Sequence, residues 1–257
     1  MIPYPHIDPI IVRIGPFAVR WYGVMYLLGF AASYLLVRYQ VKKKKLDITM
    51  DAIDSLYSWL VIGLIVGARV GYVVFYNPVF YLQHPLEIFA VWHGGMSFHG
   101  GLVGCVAAGV LFCRKYGLDF WQLADLIIVT APIGLGLGRL GNFINGELYG
   151  RVTDVPWAMV FPSGGPLPRH PSELYEFLLE GVALFTILWT LKDRALRRGT
   201  LTAVFLILYG VFRFFVEFFR EPDRQLGFIA GPFTMGQILS VATVIGGAAI
   251  LVYKRDR

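Results

Sequence analysis

Apolar residues in this chain come in runs far longer than the stripes of a soluble helix. Seven stretches hold the roughly 20 mostly apolar residues that a bilayer core requires. They are Phe17–Val37, Ala52–Tyr76, Met96–Cys113, Phe120–Leu137, Glu173–Leu191, Thr200–Phe219 and Phe233–Tyr253. The third and fourth are rich in glycine, which membrane helices tolerate and which favours close packing. The first follows the proline-rich stretch Met1–Pro9, not a basic region, so no cleavable signal peptide is expected. The pattern predicts an all-α polytopic membrane protein with seven transmembrane helices. It forms a single integral membrane domain over residues 1–257, with residues 139–172 as a small head between spans 4 and 5. No inverted repeat of the kind many transporters carry is visible.

Composition removes the alternatives. Of 257 residues, 56% are hydrophobic and 16% charged, against about 45–50% and about 25% in soluble domains. The mean hydropathy is +0.61. A soluble domain and a disordered chain are both excluded. Two cysteines exclude a disulfide scaffold. A net charge of +6 invites a nucleic-acid reading until the positions are read. The basic residues sit in short clusters between apolar runs, so no nucleic-acid partner is expected.

Those clusters set the orientation. Fourteen of the 23 Lys and Arg residues, including all seven lysines, fall in the connections after spans 1, 3, 5 and 7. The positive-inside rule then places the N-terminus outside, the C-terminus in the cytoplasm and the head in the periplasm. The run Lys42–Lys45 is a topology anchor. The other nine basic residues are all arginines: Arg13, Arg20, Arg69, Arg139, Arg151, Arg169, Arg213, Arg220 and Arg224. Arginine grips phosphate with a planar fork, and its cost at membrane depth makes each one a functional candidate. The plainer alternative is pairing with Glu147, Glu173, Glu176 or Glu217 to hold the bundle.

Five stretches carry candidate chemistry. Gly134–Gly150 holds six glycines with Arg139, Asn142, Asn145 and Glu147. Polar, glycine-rich backbone at membrane depth belongs where it lines a cavity, and its N–H groups can approach an anion. A kinked helix with polar packing is the competing reading. In Trp92–Gly104, His99 stands between Phe98 and a glycine pair, a candidate for proton transfer or merely an interfacial histidine. In Tyr209–Arg220, Arg213 and Glu217 share a helix face, and Arg220 follows near it. In Arg169–Glu180, Glu173, Glu176 and Glu180 line one face of span 5, and Glu176 and Glu180 lie too deep to go without arginine partners from spans 4 and 6. Tyr22 and Tyr26, four apart, share a face of span 1. Metal chemistry is not expected: Cys105 and Cys113 lack a CxxC and a histidine at ligand spacing. A GxSxG nucleophile elbow is absent.

These blocks resemble one family. Arg139–Gly150 is similar to the signature of bacterial prolipoprotein diacylglyceryl transferases: Gly-Arg-x-Gly-Asn-Phe-x-Asn-x-Glu, then Gly three residues on. RWYGVMYLLGF, GGMSFHGG, RHPSELYE and YGVFRFFVEFFREPD followed by MGQILS extend the resemblance over nearly the whole chain. The resemblance implies a multi-pass protein of the bacterial inner membrane whose active site faces the periplasm. The implied reaction moves the diacylglyceryl group of phosphatidylglycerol to the lipobox cysteine of a prolipoprotein, releasing glycerol 1-phosphate, with no cofactor. The implied site residues are Tyr22, His99, Arg139, Asn142, Glu147, Gly150, Glu176, Arg213 and Glu217. Trp157–Arg169 is shorter than the outer insertion of some relatives. The chemistry fits: a thiol of pKa about 8.5 needs a base or a positive field, for which His99 is the candidate base. Arg139 and Arg213 would take the charge that grows on the departing phosphate. Asn142 and glycine N–H groups would complete the cradle, with Glu147 and Glu217 holding the arginines. The competing class is a transporter or flippase for an anionic lipid, which leaves its substrate covalently unchanged.

Overall fold

A helix falls on each of the seven predicted stretches in a computed structural model, which describes residues 2–15, 17–222, 228–231 and 233–255. Asp223, Arg224 and Arg257 lie outside the described residues. In chain order the elements are strands β1 (Ile10–Ile14) and β2 (Phe17–Arg20), then helices α1 (Trp21–Lys43), α2 (Met50–Phe75) and the short α3 (Pro78–Gln83). Next come α4 (Phe98–Tyr116), α5 (Phe120–Ile128), α6 (Ala131–Asn145), α7 (Ser172–Leu191) and α8 (Thr200–Val216). Strands β3 (Phe228–Ala230) and β4 (Phe233–Thr234) lead into α9 (Met235–Arg255). Helices α1, α2, α7 and α9 are long and apolar enough to cross a membrane, and the bent pair α5–α6 makes a fifth such segment. The protein is a mostly helical, polytopic membrane protein.

Three expectations are corrected. The chain is not purely α-helical: β1 and β2 form an antiparallel hairpin, as do β3 and β4. Phe17–Arg20, counted in span 1, is β2, because those residues pair with Ile10–Ile14 before the helix starts at Trp21. Span 4, read as one run ending at Leu137, bends by 40° between α5 and α6 and continues to Asn145. Pro132 explains the bend: it lacks the N–H that would reach back one turn, and its ring crowds that turn. At the break, Thr130 donates both its N–H and its hydroxyl to the carbonyl of Ile127, at 2.9 and 2.7 Å. Residues 139–145 of the expected head are therefore helical.

The chain divides into two units, one of residues 38–124 and one of residues 1–37 with 125–257. In the first of these, α2 and α4 touch backbone to backbone. Gly63, Gly67 and Gly71 face Ala108, Gly104 and Gly100; a Cβ on Gly104 would stand 2.1 Å from the Gly63 carbonyl oxygen. A flank of α2 next to the glycines exposes Ile62, Val66, Val70 and Val74, a stripe suited to lipid. Thr49 caps α2 by accepting from the Ala52 N–H, and Ser97 caps α4 by accepting from the Gly100 N–H.

In the other unit, Val129, Leu184, Leu188, Leu201 and Phe205 form the core between α5–α6, α7 and α8. Asp125 of α5 caps α8 from outside it, accepting from the N–H groups of Gly199 and Thr202 at 2.7 and 2.8 Å. Gly136 of α6 meets Gly181 of α7, where a Cβ on Gly181 would lie 2.8 Å from the Gly136 Cα. At that contact α7 is wound as a π-helix over Phe177–Ala183. At the end of α6, Tyr4, Phe143, Met159 and Phe161 form a second cluster that seats the chain that follows, residues 146–171, called the outer segment after its expected side.

Candidate functional site

The helices α6, α7 and α8 each bring charge to one place. Glu176 is the hub and is fully buried. Arg139 Nε lies 3.0 Å from its Oε2, and Arg220 Nη1 lies 3.3 Å from its Oε1, which also accepts from Arg213 Nη1. One π-turn further on, buried Glu180 stands 3.7 Å from Arg139 and 4.0 Å from Arg213. Arg213 Nη2 reaches Glu217 at 2.8 Å, one turn along α8. Three guanidiniums thus meet three carboxylates. The pairing expected for Glu176 and Glu180 with arginines of spans 4 and 6 is what the structure shows. π-turns recur at functional sites, and this one sits where Glu176 and Glu180 meet the arginines.

Glu217 is held from its far side as well. Thr234 donates its hydroxyl to Glu217 Oε1 at 3.0 Å. A Cβ on Gly236 would stand 2.6 Å from the same carboxyl, so only glycine lets α9 approach it. Thr234 and Gln237 form a reciprocal cap: Thr234 N–H donates to Gln237 Oε1 at 3.1 Å, and Gln237 N–H to Thr234 Oγ1 at 3.3 Å. The first turn of α9 therefore positions the acid that orients Arg213. Sequence reading missed Thr234 and Gln237; the T-x-x-Q spacing just before the last apolar run is the signal that finds them.

A second polar group lies at the end of α6. Asn142 and Asn145 both donate side-chain N–H to Glu147 Oε1 at 3.0 Å. Glu147 was expected to hold an arginine; it accepts from two amides instead, because the turn after Gly146 folds it back over α6. The Gly146 backbone there is left-handed, with φ of 65°. The glycine-rich stretch is not an open anion cradle either. Gly134 to Asn145 is continuous helix, and the N–H groups of Gly146, Glu147 and Gly150 go to the carbonyls of Phe143, Asn142 and His170. Asn142, expected to contact phosphate, gives one of its two side-chain N–H groups to Glu147.

Gly150 is a packing point. A Cβ there would stand 2.5 Å from the Phe219 carbonyl oxygen and 2.6 Å from His170 Cβ. It lets the outer segment pair with the end of α8, with an isolated bridge to Arg220. Arg151 reinforces the join, its Nε donating to the Arg220 carbonyl at 2.9 Å. Tyr22 packs its ring on Gly141 of α6, where a Cβ would meet Cδ2 at 2.8 Å, and shares a 3.1 Å hydrogen bond with Tyr26. Tyr4, which sequence reading passed over, donates to the carbonyls of Phe143 and Ile144 at 2.5 and 3.2 Å. Burial, with Glu173 near it, raises its phenol above the ordinary value and keeps it a donor.

His99 belongs to the unit of residues 38–124. It stands in the first turn of α4, exposed, with its ring edge-on to Phe98 at 5.6 Å. The loop before it is tied down by Arg69, which is buried. Arg69 donates to the carbonyls of Ile88 (2.8 Å), Gly94 (2.5 Å), Gly95 (3.0 Å), Ala90 (3.3 Å) and Glu87, and stacks over Tyr81. An arginine so engaged has no donor to offer a phosphate.

Two hollows border the charged cluster. One, about 220 Å³, is lined by Glu147, Leu148, Tyr149, Ser163, Arg220 and Glu221, among others. The second, about 190 Å³, is an apolar groove between α6 and α7, lined by Ile133, Gly136, Leu137, Phe177, Val182 and Phe185, among others. It starts one helical turn from Arg139. Among the described residues no group of His, Cys, Asp and Glu is arranged to hold a metal ion.

Comparison with known proteins identifies the family. A family model described as prolipoprotein diacylglyceryl transferase matches residues 9–253. A phosphatidylglycerol–prolipoprotein diacylglyceryl transferase of Geobacter sulfurreducens is 55% identical over 254 residues, covering 98% of both chains. One of Desulfotalea psychrophila is 53% identical over 256 residues, covering 97% of this chain and 94% of its own length. One of Bordetella avium is 52% identical over 259 residues, covering all of this chain and 98% of its own. With a match of this length and identity, and with charged residues of the matching blocks gathered in one buried cluster, the chain belongs to the prolipoprotein diacylglyceryl transferase family.

Proposed function

We propose that the protein transfers the diacylglyceryl group of phosphatidylglycerol to the lipobox cysteine of prolipoproteins. It does so as a seven-span protein of the bacterial inner membrane, with its site toward the periplasm. The observation that carries the reading is the buried cluster of Arg139, Arg213 and Arg220 held by Glu176, Glu180 and Glu217. Buried arginines oriented by carboxylates are preorganised donors for a phosphate whose charge grows as its bond to the glyceryl carbon breaks. Arg139 is the best placed: its side chain is 19% exposed, and its carboxylate contacts run through Nε and Nη2. The thiol sulfur attacks the glyceryl carbon, the carbon–oxygen bond to phosphorus breaks, and glycerol phosphate leaves with that oxygen.

Three guanidiniums matched by three carboxylates give little net positive field. The thiol therefore needs a discrete base, and the sequence offers His99 for it. Tyr22, Asn142 and Glu147 form the polar wall beside α6 that meets the head group. The apolar groove one turn from Arg139 suits an acyl chain entering sideways from the bilayer. No cofactor is needed for this displacement.

The test uses purified protein, phosphatidylglycerol and a synthetic lipobox peptide. Mass spectrometry is expected to show the peptide gaining one diacylglyceryl group, with glycerol phosphate released in equal amount. A folded protein in native-like lipid that yields neither product overturns the reading. Lipid or solute flux with no covalent change would place the protein among transporters instead.

A further inference from the structure

A left-handed backbone costs glycine nothing and strains a bulky side chain. In the turn after α6, Gly146 takes that conformation with a φ of 65°. Two residues on, Leu148 takes it as well, again with a φ of 65°. Among the described residues only Lys45 and Leu148 do so without being glycine. The chain is fastened on both sides of Leu148. The Glu147 N–H donates to the Asn142 carbonyl at 3.1 Å, and the Tyr149 carbonyl accepts from the Glu221 N–H at 3.4 Å. Ser172 donates its hydroxyl to the Leu148 carbonyl itself at 3.1 Å. Strain persists only where such bonds over-determine it, and it collects at ligand sites.

The side chain shows what the turn delivers. Leu148 is 38% exposed and stands in the wall of the hollow of about 220 Å³ that Glu147, Tyr149, Ser163 and Arg220 also line. The Tyr149 hydroxyl donates to the Ser163 carbonyl at 2.9 Å, and the Ser163 hydroxyl donates to the Gly146 carbonyl. Their protons are spent within the wall. Arg220, oriented by Glu176 at 3.3 Å, brings the hollow a cation. A lipid phosphate at Arg220 has two substituents. Its diacylglyceryl side suits the apolar groove between α6 and α7. The small headgroup on the other side suits a mostly polar hollow of this size. An aliphatic wall there meets C–H groups rather than oxygens. Glycine at 148 would relax the backbone but would remove that wall.

We infer that Leu148 is a further substrate-binding residue, an aliphatic wall that packs on the carbon chain of the lipid headgroup while Arg220 holds the phosphate. No bond is made or broken at Leu148; it sets affinity for the headgroup. The inference rests on the reading that phosphatidylglycerol binds at the arginine cluster.

The test separates headgroup from phosphate and side chain from backbone. Calorimetry on the purified full-length protein, without peptide, compares short-chain phosphatidylglycerol with phosphatidic acid of the same chains, which keeps the phosphate and lacks the headgroup carbons. Leu148→Ala and Leu148→Gly are expected to weaken phosphatidylglycerol about fivefold, the loss of roughly one buried methylene contact, and to leave phosphatidic acid unchanged. Leu148→Met keeps the aliphatic bulk and is expected to stay within about twofold of wild type. Equal weakening of both lipids, weakening of neither, or a wild type that binds neither overturns the proposal. Melting curves supply the second arm. Leu148→Gly is expected to melt above Leu148→Ala, the reverse of their order inside a helix, because glycine alone relieves a left-handed backbone. The ordinary order would remove the strain and overturn the argument built on it. In turnover, KM for phosphatidylglycerol should rise while KM for the lipobox peptide holds. A rise in the peptide KM alone overturns the headgroup contact. Should the wild type show no transfer at all, the functional reading fails, while lipid binding still decides this inference. Should Leu148→Ala not fold, Leu148→Gly carries the binding arm.

Discussion

Arg69 and Arg139 read alike in the sequence: each is an arginine in an apolar run beside glycines, away from the lysine clusters. Their surroundings differ in kind. Arg69 donates to five backbone carbonyls of the 87–95 loop and is 4% exposed. Arg139 is paired with two carboxylates and keeps a fifth of its side chain open. Carbonyls saturate a guanidinium and fix a loop. Carboxylates orient a guanidinium and leave it donors for a third party. The type of partner, more than the arginine itself, separates a structural cation from one that handles a ligand.

That contrast breaks if both arginines respond to substitution in the same way. Arg139→Gln is expected to lower diacylglyceryl transfer by about 10²–10³-fold, the cost of one preorganised donor, with helical content retained. Mass spectrometry of the lipobox peptide measures it, and transfer at the wild-type rate would remove Arg139 from the phosphate. Arg69→Gln is expected to act on stability instead. Leaving several buried carbonyls without donors costs about 3 kcal/mol. The melting temperature should fall and the 85–95 loop should become cleavable by protease. An unchanged melting temperature would mean that the loop does not depend on Arg69.

Glycines give the same contrast at smaller amplitude. Gly104 sits against the backbone of α2, where a Cβ would stand 2.1 Å from the Gly63 carbonyl oxygen. Gly104→Ala must push the helices apart, at about 1–3 kcal/mol. Gly138, one residue before Arg139, has nothing within 4 Å of a Cβ and lies inside α6. Gly138→Ala is expected to be neutral, or stabilising by up to about 1 kcal/mol, because alanine favours helix. Parallel melting curves of the two variants check the pair. Equal losses would show that both glycines serve close packing.

Helices on the seven apolar stretches were legible because membrane spanning imposes one constraint on about 20 consecutive residues at a time. The meeting of Glu176 and Glu180 with Arg139 and Arg213 was legible for a related reason: deep charges need partners, and few are on offer. Glu147 was misread because the sequence does not say which way a turn folds after Gly146. Two asparagines within five residues outcompeted the distant arginines. Of the two readings of Gly134–Gly150, a cavity lining that cradles an anion and a kinked helix with polar packing, the helix is nearer the structure, since four of its glycines lie inside α6. Two of those, Gly136 and Gly141, are there for packing against Gly181 and Tyr22. The hairpin of Ile10–Arg20 was hidden because Phe17–Arg20 joins an apolar helix without a break in hydropathy. Tyr4 and Thr234 act through hydrogen bonds that reach across more than 15 residues of sequence, which periodicity does not register.

The smallest effect concerns the outer segment just ahead of Glu173. His170 has its ring packed edge-on to Phe219 at 5.2 Å, and its Nδ1 lies 3.0 Å from the Tyr175 hydroxyl. Burial lowers its pKa from the ordinary 6.5. The unfolded chain therefore binds a proton at a pH where the folded protein does not, so stability is full above about pH 6.5 and declines as pH falls toward the folded-state value. Melting temperatures measured between about pH 7.5 and about pH 5.5 should fall on acidification, and His170→Gln, which keeps a polar partner for Tyr175 but cannot titrate, should remove part of that slope. An identical slope in the variant would move the acid sensitivity to another group and leave His170 as packing alone. A reduced slope with unchanged transfer activity at neutral pH would separate the outer segment, as a structural support, from the arginine cluster proposed to bind the phosphate.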